Sequence, residues 1–222
     1  MKRKAVLGAG FGFAVLLVIG YGTEPRADTT PWIPFVARQT VKMVQRTAAG
    51  GTKIIQERTG IYLRDSRGSI YIRGLSIEGG SPSEVGWAVL TNATNGTHYR
   101  IDYEQKQATG VKSQPLGSFL LRQPMNDAQF RISHPADRFL ANKIVGSVPC
   151  EEFSVPAASP NAPGSILCFA PSLNYHVIEA VVPEPEAHAQ IVMTLQDIEV
   201  GREPDPTLMV VPEGFTVIWD QN

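Results

Sequence analysis

The chain has 222 residues and a balanced charge, with 20 Lys plus Arg against 21 Asp plus Glu. Because no run of basic residues follows the N-terminal segment, nucleic acid is not expected as a partner. Residues 23–222 are enough for one sizeable core, so we predict a single β-rich domain over that range.

A charged and then apolar leader occupies residues 1–22. Residues 2–4 are basic and residues 5–19 are apolar or glycine, which is the layout of a secretory signal. That run is short for a membrane-spanning helix, which needs about 20 residues. We therefore expect an exported protein of the periplasm or cell envelope. The leader is either a cleaved signal or an anchor that tethers the protein to the membrane through residues 5–22.

Beyond residue 34 the pattern has period two and is interrupted by turn residues, which predicts antiparallel strands. A first strand places four apolar side chains on one face, namely Phe35, Ala37, Val41 and Met43. A second strand over residues 52–64 and a third over 69–77 are joined by a turn at residues 65–68. A further hairpin spans residues 85–103 and turns at residues 92–96.

Residues 105–137 show no clear period and are punctuated by prolines. The pattern favours a surface connection with one docked apolar patch, and a lid over a cavity is the alternative. Strands then resume at residues 138–145, 148–155, 165–170, 175–182 and 189–200. The tail predicts a short helical turn at residues 207–211, with Asp205 or Thr207 as its cap, and a last extended piece at residues 215–219.

Two cysteines, Cys150 and Cys168, flank a loop at residues 156–164. In an exported protein an even pair favours a disulfide, which at this loop length stabilises by about 3 kcal/mol. Two buried thiols on neighbouring strands are the alternative. A metal site is not expected, because the sequence has no Cys-x-x-Cys and no histidine close to either cysteine.

The sequence contains no catalytic constellation that predicts a reaction. Its four histidines lie in separate predicted hairpins, and none has a second histidine at metal-ligand spacing. There is no Gly-x-Ser-x-Gly elbow, and the glycines of the leader are not a phosphate-binding loop. We expect no catalytic residue, no metal and no cofactor, and therefore a protein that is not an enzyme.

Large aromatic side chains on the central strands are the candidate ligand-binding residues. They are Tyr62, Tyr71, Trp87, Tyr99 and Tyr103. An apolar strand face needs a second layer, a helix or a ligand to cover it. Ordinary core packing is the alternative explanation of these residues.

Three segments resemble exported bacterial proteins of unknown function from acidobacterial-type genomes. They are residues 60–68 (GIYLRDSRG), 146–150 (GSVPC) and the ending at 195–217. The hairpin order of such proteins resembles the half-barrel of lipoprotein-localisation factors, which implies a curved antiparallel sheet that receives acyl chains on its concave face. This chain lacks the amphipathic helix that follows the leader in those factors, and residues 105–137 would take its place.

Together these features predict a mainly β protein, with a curved antiparallel sheet or half-barrel built from hairpins and little helix. We expect non-enzymatic binding of an apolar ligand such as a lipid or acyl chain. The alternative is a protein-interaction or scaffold module of the cell envelope, whose partner is another envelope protein. The membrane is expected as a partner only through the N-terminal segment, if that segment is uncleaved.

Overall fold

The computed structural model describes residues 31–47, 50–77, 86–112, 124–157, 163–184 and 188–220. Within them lie twelve strands and one α-helix, α1 (Asp127–Ser133). The strands are β1 (Phe35–Arg46), β2 (Thr52–Arg64), β3 (Ile70–Ile77), β4 (Trp87–Asn92), β5 (Thr97–Asp102), β6 (Gln107–Lys112), β7 (Arg138–Val145), β8 (Val148–Val155), β9 (Ser165–Ala170), β10 (His176–Glu184), β11 (Ala189–Val200) and β12 (Thr216–Trp219). Short 3₁₀ helices lie at Pro171–Leu173 and Pro206–Met209.

All twelve strands form one curved, unclosed sheet, in the order β12-β6-β5-β4-β3-β2-β1-β11-β10-β9-β8-β7. Consecutive hairpins build most of it, and every neighbouring pair is antiparallel except β12 and β6, which run parallel. The pairing of β1 with β11 joins the two halves of the sheet, which are β1–β6 with β12 and β7–β11. The predicted mainly β class with a curved sheet and little helix is confirmed.

The turn between β2 and β3 follows the prediction for residues 65–68. The Asp65 carboxylate accepts hydrogen bonds from the backbone N–H groups of Arg67 (3.0 Å) and Ser69 (2.7 Å). Gly68 has φ +87°, and a Cβ atom there would lie 2.3 Å from the indole nitrogen of Trp32. Glycine is therefore required both by the backbone conformation and by the close approach of Trp32.

Three apolar clusters hold the sheet. The central cluster contains Phe35, Ala37, Tyr62, Ile70, Val145, Val148, Cys150, Cys168, Ala170, Leu173, Ile178, Leu195 and Ile198. The helix cluster contains Phe130, Phe153, Val155, Leu167, Phe169, Tyr175, Val177 and Ala180. The C-terminal cluster contains Leu63, Tyr71, Ala88, Leu90, Ile101, Ala108 and Met209, with Leu208, Val211 and Phe215 of the C-terminal segment packed against it.

The predicted disulfide is present between Cys150 and Cys168, whose Cα atoms are 5.6 Å apart. Cys168 pairs with Glu152 across β8 and β9, so the bond joins diagonal neighbours of adjacent strands. Both sulfur-bearing residues lie in the central cluster, where the disulfide closes a loop between residues 18 positions apart.

The connection predicted at residues 105–137 contains more regular structure than its sequence suggested. β6 begins at Gln107 and α1 at Asp127, which leaves a shorter link between them. Asn126 caps α1 and forms a reciprocal capping box with Gln129, a signal that the sequence reading missed. Residues 113–123 of this segment lie outside the described part of the chain, as does the leader at residues 1–22.

The tail agrees with its prediction in type and in position. The 3₁₀ helix begins at Pro206, and the Asp205 side chain accepts a hydrogen bond from the Thr207 backbone N–H at 2.9 Å. A hydrogen bond from the Thr207 hydroxyl, together with this backbone bond, lowers the pKa of Asp205. None of the helices in the described ranges is long and apolar enough to cross a membrane.

Candidate binding surface

A strip of half-buried apolar side chains crosses the sheet on β1, β11 and β10. Strand pairing joins Val41 to Met193. The next row runs from Met43 to Ile191 and on to Val182. Directly paired residues of antiparallel strands lie on the same face. We define the apolar strip by these half-buried members, Val41, Met43, Val182, Ile191 and Met193.

The face that carries the apolar strip continues under α1. Met193 pairs with Ala180, and Ala180 pairs with Leu167. Leu167 in turn pairs with Phe153. Ala180, Leu167 and Phe153 are buried in the helix cluster, against which Met193 also packs. One apolar face is thus covered by α1 over β8–β10 and half-exposed over β10, β11 and β1.

Aromatic stacking fixes α1 on the sheet. The Phe130 ring is 4.1 Å from the Tyr175 ring and 4.8 Å from the Phe169 ring, measured between centroids. Phe130 also meets Phe153 edge to face at 5.4 Å. Stacked and edge-to-face pairs of this kind stabilise beyond the area they bury, which explains how a seven-residue helix holds a defined position.

A polar network ties the start of α1 to the neighbouring strands. The Tyr175 hydroxyl donates a hydrogen bond to Asp127 Oδ1 at 2.5 Å. Arg131 bridges Asp127 at 3.1 Å and Glu151 at 2.8 Å. Burial and the bond to Asp127 raise the pKa of Tyr175, and the same bond lowers the pKa of Asp127. The phenol therefore remains the donor and the carboxylate the acceptor at neutral pH.

The opposite face of the same strands carries ion pairs. Lys42, the neighbour of Val41, pairs with Glu57 at 3.3 Å. Lys143 pairs with Glu152 at 3.4 Å and also with Glu179. The hydrogen bond that Lys143 donates to Glu179, and the charges of both glutamates, raise the pKa of Lys143 against the effect of its partial burial. That face thus mixes ion pairs with half-buried apolar residues such as Val181 and Val192, whereas all five members of the apolar strip are uncharged.

A fully buried arginine anchors the segment that precedes β1. Arg64 donates hydrogen bonds to the Ile33 carbonyl from Nε (3.0 Å) and Nη2 (2.7 Å), and to the Leu173 carbonyl from Nη2 (3.0 Å). Its guanidinium lies over the rings of Phe35 (4.8 Å) and Trp32 (5.2 Å). Burial lowers the pKa of Arg64 to about 10, so the group stays charged at neutral pH. Carbonyl oxygens and aromatic faces stabilise that charge.

His176 and Tyr62 pack beside Arg64 around the Phe35 ring. The His176 ring is 5.2 Å from the Phe35 ring and 5.4 Å from the Tyr62 ring. Burial, and then the charge of Arg64, hold the pKa of His176 well below its usual range. Burial also raises the pKa of Tyr62. Both side chains are therefore neutral near pH 7. Together with Phe35 and Arg64 they form a buried core at the start of β1.

The five aromatic residues predicted as ligand-binding do not form one group. Tyr71, Tyr99 and Tyr103 belong to the C-terminal cluster or pack against it, and the hydroxyls of Tyr71 and Tyr103 are 2.8 Å apart. Tyr62 lies in the central cluster instead, and Trp87 begins β4 opposite Asp102. Ligand binding by these residues stays a prediction.

The C-terminal segment covers the aromatic group on β3–β5. Phe215 meets Tyr103 edge to face at 5.5 Å, and Trp219 lies 5.7 Å from Tyr99 between ring centroids. Tyr71 is fully buried, and burial together with its bond to Tyr103 raises its pKa. This part of the sheet therefore has its second layer, whereas the apolar strip is half-exposed.

Sequence reasoning had placed Val41 and Met43 on an apolar face but had not singled out Val182, Ile191 and Met193. The signal was the alternation of apolar residues along β11, where Ile191 and Met193 precede the buried Leu195. What the pattern did not contain was the position of α1, which decides where the covered part of the face ends.

No protein-family model matches the chain, and no curated protein matches its sequence. Solved structures are similar in outline. An uncharacterised conserved protein from Thermus thermophilus is 9% identical over 82% of this chain and 90% of its own, with a TM-score of 0.46. The Pseudomonas aeruginosa MucA/MucB complex gives 12% identity over 84% of this chain and 58% of that chain, with a TM-score of 0.46.

A third similar structure is a domain described as an outer membrane lipoprotein-sorting protein from Vibrio parahaemolyticus. It is 7% identical over 80% of this chain and 89% of its own, with a TM-score of 0.34. That description names the kind of protein to which the sequence resemblance pointed. Because all three TM-scores are below 0.5, the similarities carry no argument about function.

Proposed function

We propose that the protein is an exported, non-enzymatic envelope protein that binds an apolar ligand, such as a lipid or acyl chain, on the apolar strip. The supporting observation is the half-exposed row of Val41, Met43, Val182, Ile191 and Met193, which continues the face that α1 covers. A contiguous apolar surface that a folded protein leaves partly accessible is a candidate binding site. Two of the five residues are methionine, whose flexible side chain adapts to ligands of varied shape.

The strip offers a matched pair of positions for a test. Ile191 lies on it, and the adjacent Val192 is also half-buried but points to the opposite face of β11. A carboxylate at position 191 would be desolvated against a bound alkyl chain, whereas one at position 192 would not contact the ligand.

Fluorescence titration with a pyrene-labelled decane measures this difference directly. We expect the wild-type protein to bind the probe, Ile191→Glu to weaken binding by at least about tenfold, and Val192→Glu to leave it within about twofold. Circular dichroism controls for folding of both variants. Equal affinities for the two variants, or no binding by the wild-type protein, would overturn the proposal.

The second candidate function is a protein-interaction module of the envelope that pairs through an edge of the sheet. β12 is the outermost strand at one end, and its Val217, Ile218 and Trp219 side chains are 41–46% exposed. An exposed edge with apolar side chains is a template for strand addition. Cross-linking in the envelope tests this candidate function. Ile218→Lys should reduce the yield of whichever protein is cross-linked to the wild type, and should leave binding of the pyrene-labelled decane unchanged.

A further inference from the structure

β7 forms one outer edge of the sheet, and β12 forms the other. Among the described residues no strand pairs with the outer side of β7, so that side presents backbone N–H and C=O groups to which a further strand would bond. Seven of the eight side chains of β7 are exposed, and only Val145 is buried. Because β12 has only four residues, β7 is the longer of the two edges that a partner strand could meet.

Two exposed apolar side chains of β7 lie on the face that α1 covers. Phe139 is 47% exposed and pairs with Phe153, which is buried in the helix cluster. Ile144 is 69% exposed and pairs with Pro149, which lies on the same face of β8 as Phe153. Phe139 and Ile144 share a face, although an odd number of positions separates them, because the register shifts between Phe139 and Ala141. The apolar face under α1 thus reaches the edge of the sheet.

The charged side chains of β7 are Arg138 and Lys143, and the strand contains no acidic residue. Lysines and bulges protect many edge strands from pairing. The Lys143 ammonium is held by Glu152 and Glu179 on the face opposite α1, so it is already neutralised within its own sheet. Arg138 is the first residue of the strand. A partner strand is therefore acceptable if it places neither cation opposite another cation.

One antiparallel register between two copies of β7 meets this condition. Asn142 lies midway between Phe139 and Ile144 on the α1 face, since their partners on β8 are evenly spaced. With a two-fold axis at Asn142, this residue lies opposite its own copy, and Phe139 of each protomer lies opposite Ile144 of the other. Lys143 then lies opposite Ala141. The exposed apolar side chains of β7 thus complement those of a second copy.

We propose that a second copy of this chain pairs with β7, and that the two sheets join through an antiparallel β7–β7 ladder centred on Asn142. Arg138 lies opposite Val145 in this register, so no like charges meet directly. The ladder adds about six backbone hydrogen bonds and two contacts between Phe139 and Ile144. Because a single strand pair is smaller than a standard interface, we expect a reversible dimer with a Kd on the order of 10 μM. The inference does not depend on ligand binding by the apolar strip.

Sedimentation velocity over a range of protein concentrations tests the ladder with charges placed at its axis. Asn142→Asp and Asn142→Lys each bring two like charges directly opposite each other, so each variant alone should raise the Kd of the dimer at least about tenfold. An equimolar mixture of the two variants should recover the dimer, because each pair then joins a carboxylate to an ammonium. Variants that merely fold poorly would not recover on mixing. Circular dichroism of each variant alone controls for folding.

The matched control is Ile218→Lys, which adds a charge to an exposed position of β12 at the other edge and should leave the dimer unchanged. A wild-type protein that stays monomeric at about 200 μM overturns the proposal. So does a dimer that survives both Asn142 variants, or one that only Ile218→Lys disrupts, because its interface lies elsewhere. Loss of the dimer in both Asn142 variants without recovery in the mixture overturns the two-fold register at Asn142.

Discussion

The two ends of β1 carry the same alternating pattern in different surroundings. At the start of the strand, Phe35 and Ala37 are buried in the central cluster. Farther along the same face, Val41 and Met43 are only half-buried. The pattern identifies which face of a strand is apolar, and the segments that pack on that face decide whether it becomes core or binding surface.

Residues 31–34, which precede β1, cover the apolar face at the start of that strand. Arg64 holds the Ile33 carbonyl, and Asn174 Oδ1 accepts a hydrogen bond from the Ile33 backbone N–H at 3.0 Å. The Gly201 backbone N–H donates to the Pro34 carbonyl at 2.8 Å. Three points of attachment fix the segment over the central cluster, and the described residues provide no comparable attachment over the apolar strip.

The largest expected difference in stability comes from truncating one side chain at each end of β1. Phe35→Ala removes a fully buried ring and should lower the free energy of unfolding by about 3–5 kcal/mol. Met43→Ala removes a half-buried side chain and should cost about 1 kcal/mol. Urea denaturation followed by circular dichroism measures both values. Similar losses for the two variants would contradict the distinction between core and strip.

Removing the buried guanidinium of Arg64 tests what holds residues 31–34 in place. Arg64→Met should lower the free energy of unfolding by about 3 kcal/mol, because the Ile33 and Leu173 carbonyls lose their donor inside the protein. Arg38→Met at an exposed site is the control and should change stability by less than about 0.5 kcal/mol. If the two variants are equally stable, the attachment of residues 31–34 does not depend on Arg64.

The disulfide lies in the buried central cluster, so its removal should lower the stability of the core. Replacing Cys150 and Cys168 together by alanine should lower the free energy of unfolding by about 3 kcal/mol, since the unfolded chain regains the entropy of the closed loop. The wild-type protein should show no reactive thiol before reduction. Reaction of both cysteines in the native, unreduced protein would show that the bond is not formed.

The pH dependence of stability reports on the same closed core. His176 has a pKa well below its usual range when folded, so the unfolded state binds the proton more readily. Its stabilising contribution is complete above about pH 6.5 and is lost progressively as the pH falls below that value. His176→Phe should remove most of this slope in urea titrations at several pH values.

The comparison for this titration is His98, whose pKa is also lowered by burial but which is only half-buried. His98→Gln should leave most of the slope between pH 6.5 and 5. The shifted carboxylates, Asp127 and Asp205, act at lower pH, because their pKa values lie below the ordinary range. A wild-type stability that is flat between pH 7 and 5 would contradict a neutral, buried His176.

Much of the fold could be predicted because its strands are regular hairpins. Period-two alternation located β1 and β2, and the turn at residues 65–68 was clear from Asp65 and Gly68. β6 was missed because Ala108 and Gly110 weaken its strand pattern. Gly110 is small for a reason that lies elsewhere in the chain, since a Cβ atom there would lie 3.0 Å from the rings of Trp219 and Tyr99.

The candidate site was less predictable, because it depends on pairings between distant strands. Val41 meets Met193 only through the pairing of β1 with β11, and no local pattern in the sequence specifies that neighbour. The buried role of Arg64 was missed for the same reason, since its partners at Ile33 and Leu173 are 31 and 109 residues away. Local alternation predicts strands and faces, but not which faces meet.

Native mass spectrometry of the protein purified from the envelope, followed by solvent extraction, tests the central claim most directly. The account predicts a bound apolar molecule that is released on unfolding, is absent from Ile191→Glu and is retained by Val192→Glu. An empty wild-type protein, under conditions that keep lipid on a known carrier, would contradict it. So would a cargo that both variants retain equally.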